Sequence, residues 1–292
     1  MTDIYISSSC INRRSIAQSV RYLAEQGYRN IELSGGTHYY PNFVADLLDL
    51  KRQFGLRYRC HNYFPPPLEH FVLNLSADDD AIRQKAIEHI KQAIRLSEAL
   101  EADRYAVHAG FRMQPKVEQL GKVISSQQLQ SETDALARFT AAWEMLQPLA
   151  QTAGVKLYIE NNVLSAANLK MFKGENPFLA TDVDSIKEIQ SQTGAPLLLD
   201  VAHLKVSCQS LGLDLETQLA TLLHETDYLH ISDNDGTADR NQGLNAGFNI
   251  LQLLEQYSLQ DKTITLEVYD GDASLAQSHQ AIISLLGVHY ES

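Results

Sequence analysis

The sequence predicts an α/β fold, a single closed eight-fold parallel (β/α)8 barrel, and three observations carry that expectation. Short apolar runs rich in β-branched and aromatic residues alternate with longer amphipathic stretches eight times along 292 residues. No Pro-, Gly- or Ser-rich linker and no fixed-period repeat divides the chain, so residues 1–292 read as one barrel. Neither GxGxxG nor GxxxxGKS/T follows the first strand, which counts against the runner-up, an open doubly wound sheet with a nucleotide fingerprint.

In chain order the first unit is the strand DIYISSS with a helix over 13–26, and the second is NIELSGG with a helix over 42–54. LRYRCHNYF leads to a helix over 78–100, and DRYAVHAGF to one over 131–153. VKLYIEN precedes a helix over 182–192, and APLLLDVAHL one over 214–224. DYLHISDN and TITLEVY complete the set, with helices over 248–256 and 273–286. Ser131, Asp182 and Asp214 stand where a side-chain oxygen can accept the first free amides of a helix. Gly27, Gly55, Gly154 and Gly194 fall where left-handed helix ends need glycine. Two connections, 112–130 and 162–181, exceed the usual βα loop and are candidate lids. On the C-terminal face of a barrel they bring Arg112, Lys116, Lys122, Lys170 and Lys173 toward the site, or simply carry solvated loop charge.

Composition fits a large core: 44% of residues are hydrophobic and 21% charged. The formal charge of −12 gives no general attraction to nucleic acid or to an anionic membrane, although a local basic groove stays open. No apolar run reaches the length of a membrane span, and MTDIYISSSC lacks the basic and apolar stretches of a secretion signal, so a cytoplasmic protein is expected. Cys10, Cys60 and Cys208 are odd in number and form no CxxC pair. They read as small buried hydrophobes.

The chemistry is expected where polar residues interrupt the apolar strands, nearly always at their C-terminal ends. His61 follows LRYRC, His108 follows RYAV, Glu160 follows KLYI, and Asp200 follows PLLL with His203 three residues on. His230 follows DYL and Glu267 follows TITL. Any one of these alone reads as a hydrogen-bonded structural residue. Together they aim imidazoles and carboxylates at one mouth, where burying them unpaired is costly without a cation. That donor set suits Mn, Co, Mg, Fe or Zn as a divalent ion. His38, His70, His89, His224, His279 and His289 fall on loops or helices and read as surface or local structural residues. Ser7, Ser8 and Ser9 end the first strand outside any GxSxG elbow, which counts against a serine hydrolase.

On these residues the chain resembles the xylose-isomerase-like TIM barrels, a superfamily of sugar isomerases and epimerases that also contains the family 2 abasic-site endonucleases. The resemblance implies a divalent metal held by Glu160 in YIEN, Asp200 in LLDVAH, His230 in LHISDN and Glu267 in TLEVY. The DxxH spacing implies that His203 holds substrate. GYRNIELSGG, residues 27–36, is similar to the second strand common in the isomerase branch. His61 in CHNY and His108 in VHAG match endonuclease histidines that hold a second metal, and His203 and Asp239 match ligands of its third. That branch has DRH where this chain has DRN, Asp239 to Asn241, and an amide is a poor substitute for an imidazole ligand.

The resemblance therefore implies a metal-dependent isomerase or epimerase acting on a sugar or sugar phosphate. The metal would stabilise an enediolate while Glu160 and Glu267 move the proton. Arg240, in the loop where epimerases place a substrate-holding arginine, could grip a hydroxyl or phosphate oxygen, with Asp239 and Asn162 as further substrate-binding candidates. The alternative is a two- or three-zinc phosphodiesterase of the endonuclease type. A third reading is a barrel that binds its ligand without turnover. Assembly into a homo-oligomer stays open.

Overall fold

A computed structural model describes residues 3–11, 13–244 and 249–287. Its eight strands are β1 (Ile4–Ser7), β2 (Asn30–Leu33), β3 (Arg57–His61), β4 (Arg104–His108), β5 (Lys156–Glu160), β6 (Leu197–Asp200), β7 (Tyr228–Ile231) and β8 (Thr263–Leu266). They form a closed, all-parallel barrel in sequence order, and β8 returns to β1 through the pairs Ile4–Ile264, Tyr5–Thr265 and Ile6–Leu266. Around them run α1 (Ile16–Glu25), α2 (Phe43–Phe54), α3 (Asp80–Ala99), α4 (Glu132–Thr152), α5 (Ala166–Met171), α6 (Val183–Thr193), α7 (Val201–Leu211), α8 (Leu215–Glu225), α9 (Ile250–Leu254) and α10 (Asp272–Leu285). The expected (β/α)8 TIM barrel is the observed one.

The period-two alternation of the strands sorts side chains into two environments. Ile31, Cys60, Val107, Ile159, Leu199, Leu229 and Leu266 belong to the main core, between the barrel and the helices. Residues of the other parity point inward, where Ala106, Tyr158, Leu198 and Tyr228 form a small separate apolar layer. Two residues further along these four strands stand His108, Glu160, Asp200 and His230. Register sets the same residues side by side: His108 pairs with Glu160 across β4 and β5, and Asp200 with His230 across β6 and β7. The apolar layer thus forms the floor of a polar mouth at the C-terminal ends of the strands.

The expected helix signals act as caps. Ser131, Asp182 and Asp214 accept the backbone amides of Asp134, Ser185 and Thr217, and Gly55 and Gly194 close α2 and α6 in the left-handed region. The three cysteines are buried and free. The strands stop earlier than expected, since APLLLDVAHL is not one strand. Its backbone leaves the sheet at Asp200, whose Oδ1 accepts the amide of His203 at 2.7 Å and starts α7 with no linker. A continuous apolar run does not distinguish a buried strand from a buried helix, and here it contains both. The short α5 within 162–181 is a further addition to the expected elements. Residue 248, expected to start a helix, and His289 lie outside the described residues.

The two long loops brace each other. Arg112 donates from Nε to the carbonyl of Gln130 at 3.1 Å and from Nη1 to that of Asn176 at 2.8 Å, and Phe111 and Phe178 meet through an isolated antiparallel bridge. Arg112 is therefore a loop clamp and not a free cation over the mouth. No described helix is long and apolar enough to cross a membrane.

Candidate metal centre

Glu160 lies at the middle of the mouth, almost wholly buried. Its Oε2 accepts from His61 Nε2 at 2.8 Å and lies 3.3 Å from His108 Nδ1. Its Oε1 is 3.7 Å from His230 Nδ1 and 3.8 Å from His203 Nδ1. Glu267 reaches in from just past β8, with Oε2 at 3.3 Å from His230 Nδ1, while its Oε1 accepts from Ser9 Oγ at 2.9 Å and from the Tyr269 hydroxyl. Asp200 splits its two oxygens: Oδ1 caps α7, and the buried Oδ2 has no hydrogen-bond partner.

His203 enters from the first turn of α7 rather than from a strand. Its Nδ1 donates to the Asn161 carbonyl at 3.0 Å, which turns Nε2 toward Asp239 Oδ2 at 3.3 Å and Asp200 Oδ2 at 3.9 Å. Asn241, with φ +46, accepts from Ser232 Oγ at 2.9 Å and directs its amide nitrogen toward Asp239 Oδ2 at 3.5 Å. It offers Asp239 a donor, where an imidazole would offer a metal a ligand.

Electrostatics follow from burying these charges together. Burial opposes ionisation of Glu160, but His108, His61 and His230 outweigh it and hold the carboxyl well below the usual range. Glu267 is likewise held at about 2, against burial, by His230. Burial lifts Asp200 to about 6 and pushes His108 down to about 4. His203 and His230 are raised despite burial, His203 by Asp200 and Asp239 and His230 by Glu32 and Glu267. Without a cation, the imidazoles that are raised here, His61, His203 and His230, must supply the positive charge that the carboxylates require.

The residues fit a metal ion. Glu160, Asp200 and His230 offer ligand atoms within 4.8 Å of one another, and Glu267 adjoins His230. Asp200 Oδ2, His230 Nδ1 and His108 Nδ1 are buried without a hydrogen-bond partner, a costly arrangement that coordination would relieve. Two further groups meet the same distance condition: His108, Glu160 and His203, and Glu32, His61 and His230. His61 and His108, expected as a second site, thus both face one oxygen of Glu160, but their close groups are completed by different partners.

Glu32 is a member of the centre that sequence reasoning missed. It is fully buried inside the barrel, with Oε1 2.8 Å from His230 Nε2 and Oε2 accepting from Thr265 Oγ1 at 3.0 Å and from the Tyr228 hydroxyl. The available signal was a carboxylate at an inward position of NIEL, the same kind of interruption that marks Glu160. Other expected residues are not brought to the centre. Arg240 is exposed, 3.9 Å from Asp235. Asn162 borders the cavity but spends its Nδ2 on the carbonyls of Ala109, Gly110 and Leu179, tying two loops together. His70, expected as a surface or local structural residue, is exposed, and it stands at the rim of the mouth with His61 and Glu267, its ring meeting that of His38.

A family model described as xylose isomerase-like TIM barrel matches residues 20–285. The chain belongs to the xylose isomerase-like TIM-barrel family. A search of curated proteins found no match. Among solved structures, this family member is similar to a D-tagatose 3-epimerase-like protein, at 18% identity and TM-score 0.74 over 98% of each chain. It is similar to 3-keto-D-glucoside 4-epimerase from E. coli in its apo form, at 13% identity and TM-score 0.68 over 98% of this chain and 99% of that one. It is also similar to a Thermus thermophilus protein soaked with ZnCl2, at 20% identity and TM-score 0.63 over 99% of both chains.

Proposed function

We propose that this xylose isomerase-like barrel is a divalent-metal-dependent sugar isomerase or epimerase. One observation carries the reading: Glu160, Asp200, His230 and Glu267 converge from the ends of four consecutive strands on a buried point where polar atoms are left without hydrogen bonds. The likeness to proteins described as a D-tagatose 3-epimerase-like protein and a 3-keto-D-glucoside 4-epimerase supports the same class. A divalent ion held by these four residues would supply positive charge at a carbonyl and its neighbouring hydroxyl, acidifying the C–H bond on the carbon that bears the hydroxyl. One of Glu160 and Glu267, entering as the carboxylate, would accept that proton as the enediolate forms, and the other, which has to enter the step carrying a proton, would return it from the opposite face, so that the two exchange protonation states in each turnover. Return to the same carbon epimerises it, and return to the adjacent carbon isomerises the sugar. His203 and Asp239, on the wall of the adjoining cavity, hold substrate hydroxyls.

The test is proton exchange. Protein loaded with Mn and incubated with ketohexoses in D2O should place deuterium on the carbon beside the carbonyl, and Glu160→Gln should stop it. Full exchange in that variant would remove the assignment.

The second reading is a zinc phosphodiesterase, favoured by the group His108, Glu160 and His203 beside the first site and by the zinc soak of the Thermus protein. Cleavage of a duplex with an abasic site, without sugar exchange, would decide for it.

A further inference from the structure

Beside the ligand cluster lies a cavity of about 290 Å³ that His108, His203 and Asp239 border on one side. Much of the remaining wall is apolar and comes from the two long loops and the residue before the first: Phe111 with Leu120, Val123 and Ile124 on one side, Phe178 on the other. Phe111, Ile124 and Phe178 belong to a hydrophobic cluster separate from the main core, and the two phenyl rings meet edge to face at 5.6 Å. The loops thus build an apolar compartment against the polar centre, on a face where a free sugar would need only hydroxyl partners.

The side chains around this compartment do not supply the convergent arginines and lysines that commonly hold phosphate. Lys122 is the lysine on its wall, exposed in the loop and faced by no arginine there. Arg112 is turned into the carbonyls of Gln130 and Asn176. Arg240 points to Asp235. Lys170 and Lys173 are exposed and do not line the cavity.

We infer that the sugar acted on here carries an apolar substituent of aryl or short alkyl size, and that this cavity holds it in place of a phosphate. The inference rests on the isomerase reading of the same centre and narrows its substrate class. The reacting carbons lie toward Glu160, and the substituent lies between the loops, against Phe111 and Phe178. Burying a phenyl-sized group there should tighten binding roughly 10- to 100-fold over the unsubstituted sugar.

The test uses three probes: a ketohexose, the same sugar with a benzyl ether on the carbon farthest from the carbonyl, and its phosphate ester at that carbon. Binding to metal-loaded protein is measured by calorimetry, and solvent deuterium exchange is followed in parallel. The benzyl ether should bind at least 10-fold more tightly than the parent, the lower end of that burial gain. Val123→Glu, at a wall residue 48% exposed, should bring that ratio toward one, and so should Phe178→Ser if the variant folds. Equal binding of benzyl ether and parent, no binding of the benzyl ether, or tightest binding of the phosphate ester overturns the inference. If exchange persists in those cases, the isomerase reading stands alone. Absence of exchange with all three probes removes that reading, and the ratio of benzyl ether to parent still decides what the cavity holds.

Discussion

His230 and Glu32 face each other inside the barrel, the imidazole Nε2 2.8 Å from the carboxylate Oε1, both fully buried. This ring nitrogen lies against the carboxylate as a close ion pair without hydrogen-bond alignment, while the other, Nδ1, faces Glu267 and Glu160. Partners of this kind fix the orientation of a metal-ligating imidazole and raise its basicity. The Tyr228 hydroxyl and Thr265 in turn fix Glu32 from below, so the centre has a second layer of support reaching the floor of the mouth.

Glu32→Gln keeps the shape and removes the charge beside His230. Metal affinity is expected to fall about 10- to 100-fold, with kcat falling with it unless excess metal is supplied. Elemental analysis of the purified variant and activity against metal concentration check this. Unchanged metal retention would mean that the carboxylate only fills space.

Glu160→Gln and Glu267→Gln should each lower kcat by about 10²- to 10⁴-fold, the range for removing a group that transfers a proton. Glu160→Gln should also lose metal, because its carboxylate is shared by two of the close ligand groups. Circular dichroism confirms that the fold survives, and rate measurements at saturating metal separate the proton-transfer role from metal loss.

Metal content distinguishes the two readings of the centre. Untagged protein purified without chelator should carry about one Mn, Co, Mg or Fe per chain under the isomerase reading, and His61→Ala should leave that number unchanged. Two or more Zn, falling by one in His61→Ala, would move the phosphodiesterase reading to first place.

Away from the centre, His89 on α3 is buried against Phe71, with ring centroids 5.4 Å apart. Burial, aided by Lys85, pushes it down to about 4. The folded state thus favours the neutral ring more than the unfolded chain does, where the value is about 6.5. Its contribution is complete above pH ~6.5 and is lost as pH falls toward 4, up to about 3 kcal/mol in all. His89→Leu should lose less stability than the parent protein between pH 7 and 4, measured by urea unfolding at each pH.

Arg112→Met preserves the aliphatic stem but breaks the hydrogen bonds to the carbonyls of Gln130 and Asn176. Each carbonyl left without its donor costs about 1–3 kcal/mol locally. Faster proteolytic nicking within 112–130 and 162–181 is expected, together with a raised KM and a nearly unchanged kcat. Limited proteolysis and steady-state kinetics test the two halves separately.

The alternation of apolar strands with amphipathic stretches determined the barrel, and the polar residues at strand ends determined which side chains share its mouth. Both are local properties: in a parallel barrel, side chains alternate inward and outward along each strand, and every strand ends on the same face. Glu160, Asp200, His230 and Glu267 were legible for that reason, because their direction follows from position in a strand. Only the tertiary structure decided the pairing of Glu32 with His230, which spans the barrel interior, and the start of α7 at Asp200 within an unbroken apolar run. It also turned Arg112 into a clamp, left Arg240 facing solvent, buried His89 and formed the apolar cavity between two loops. Loop and helix side chains take their direction from whichever distant group satisfies them, and no period in the chain records that partner.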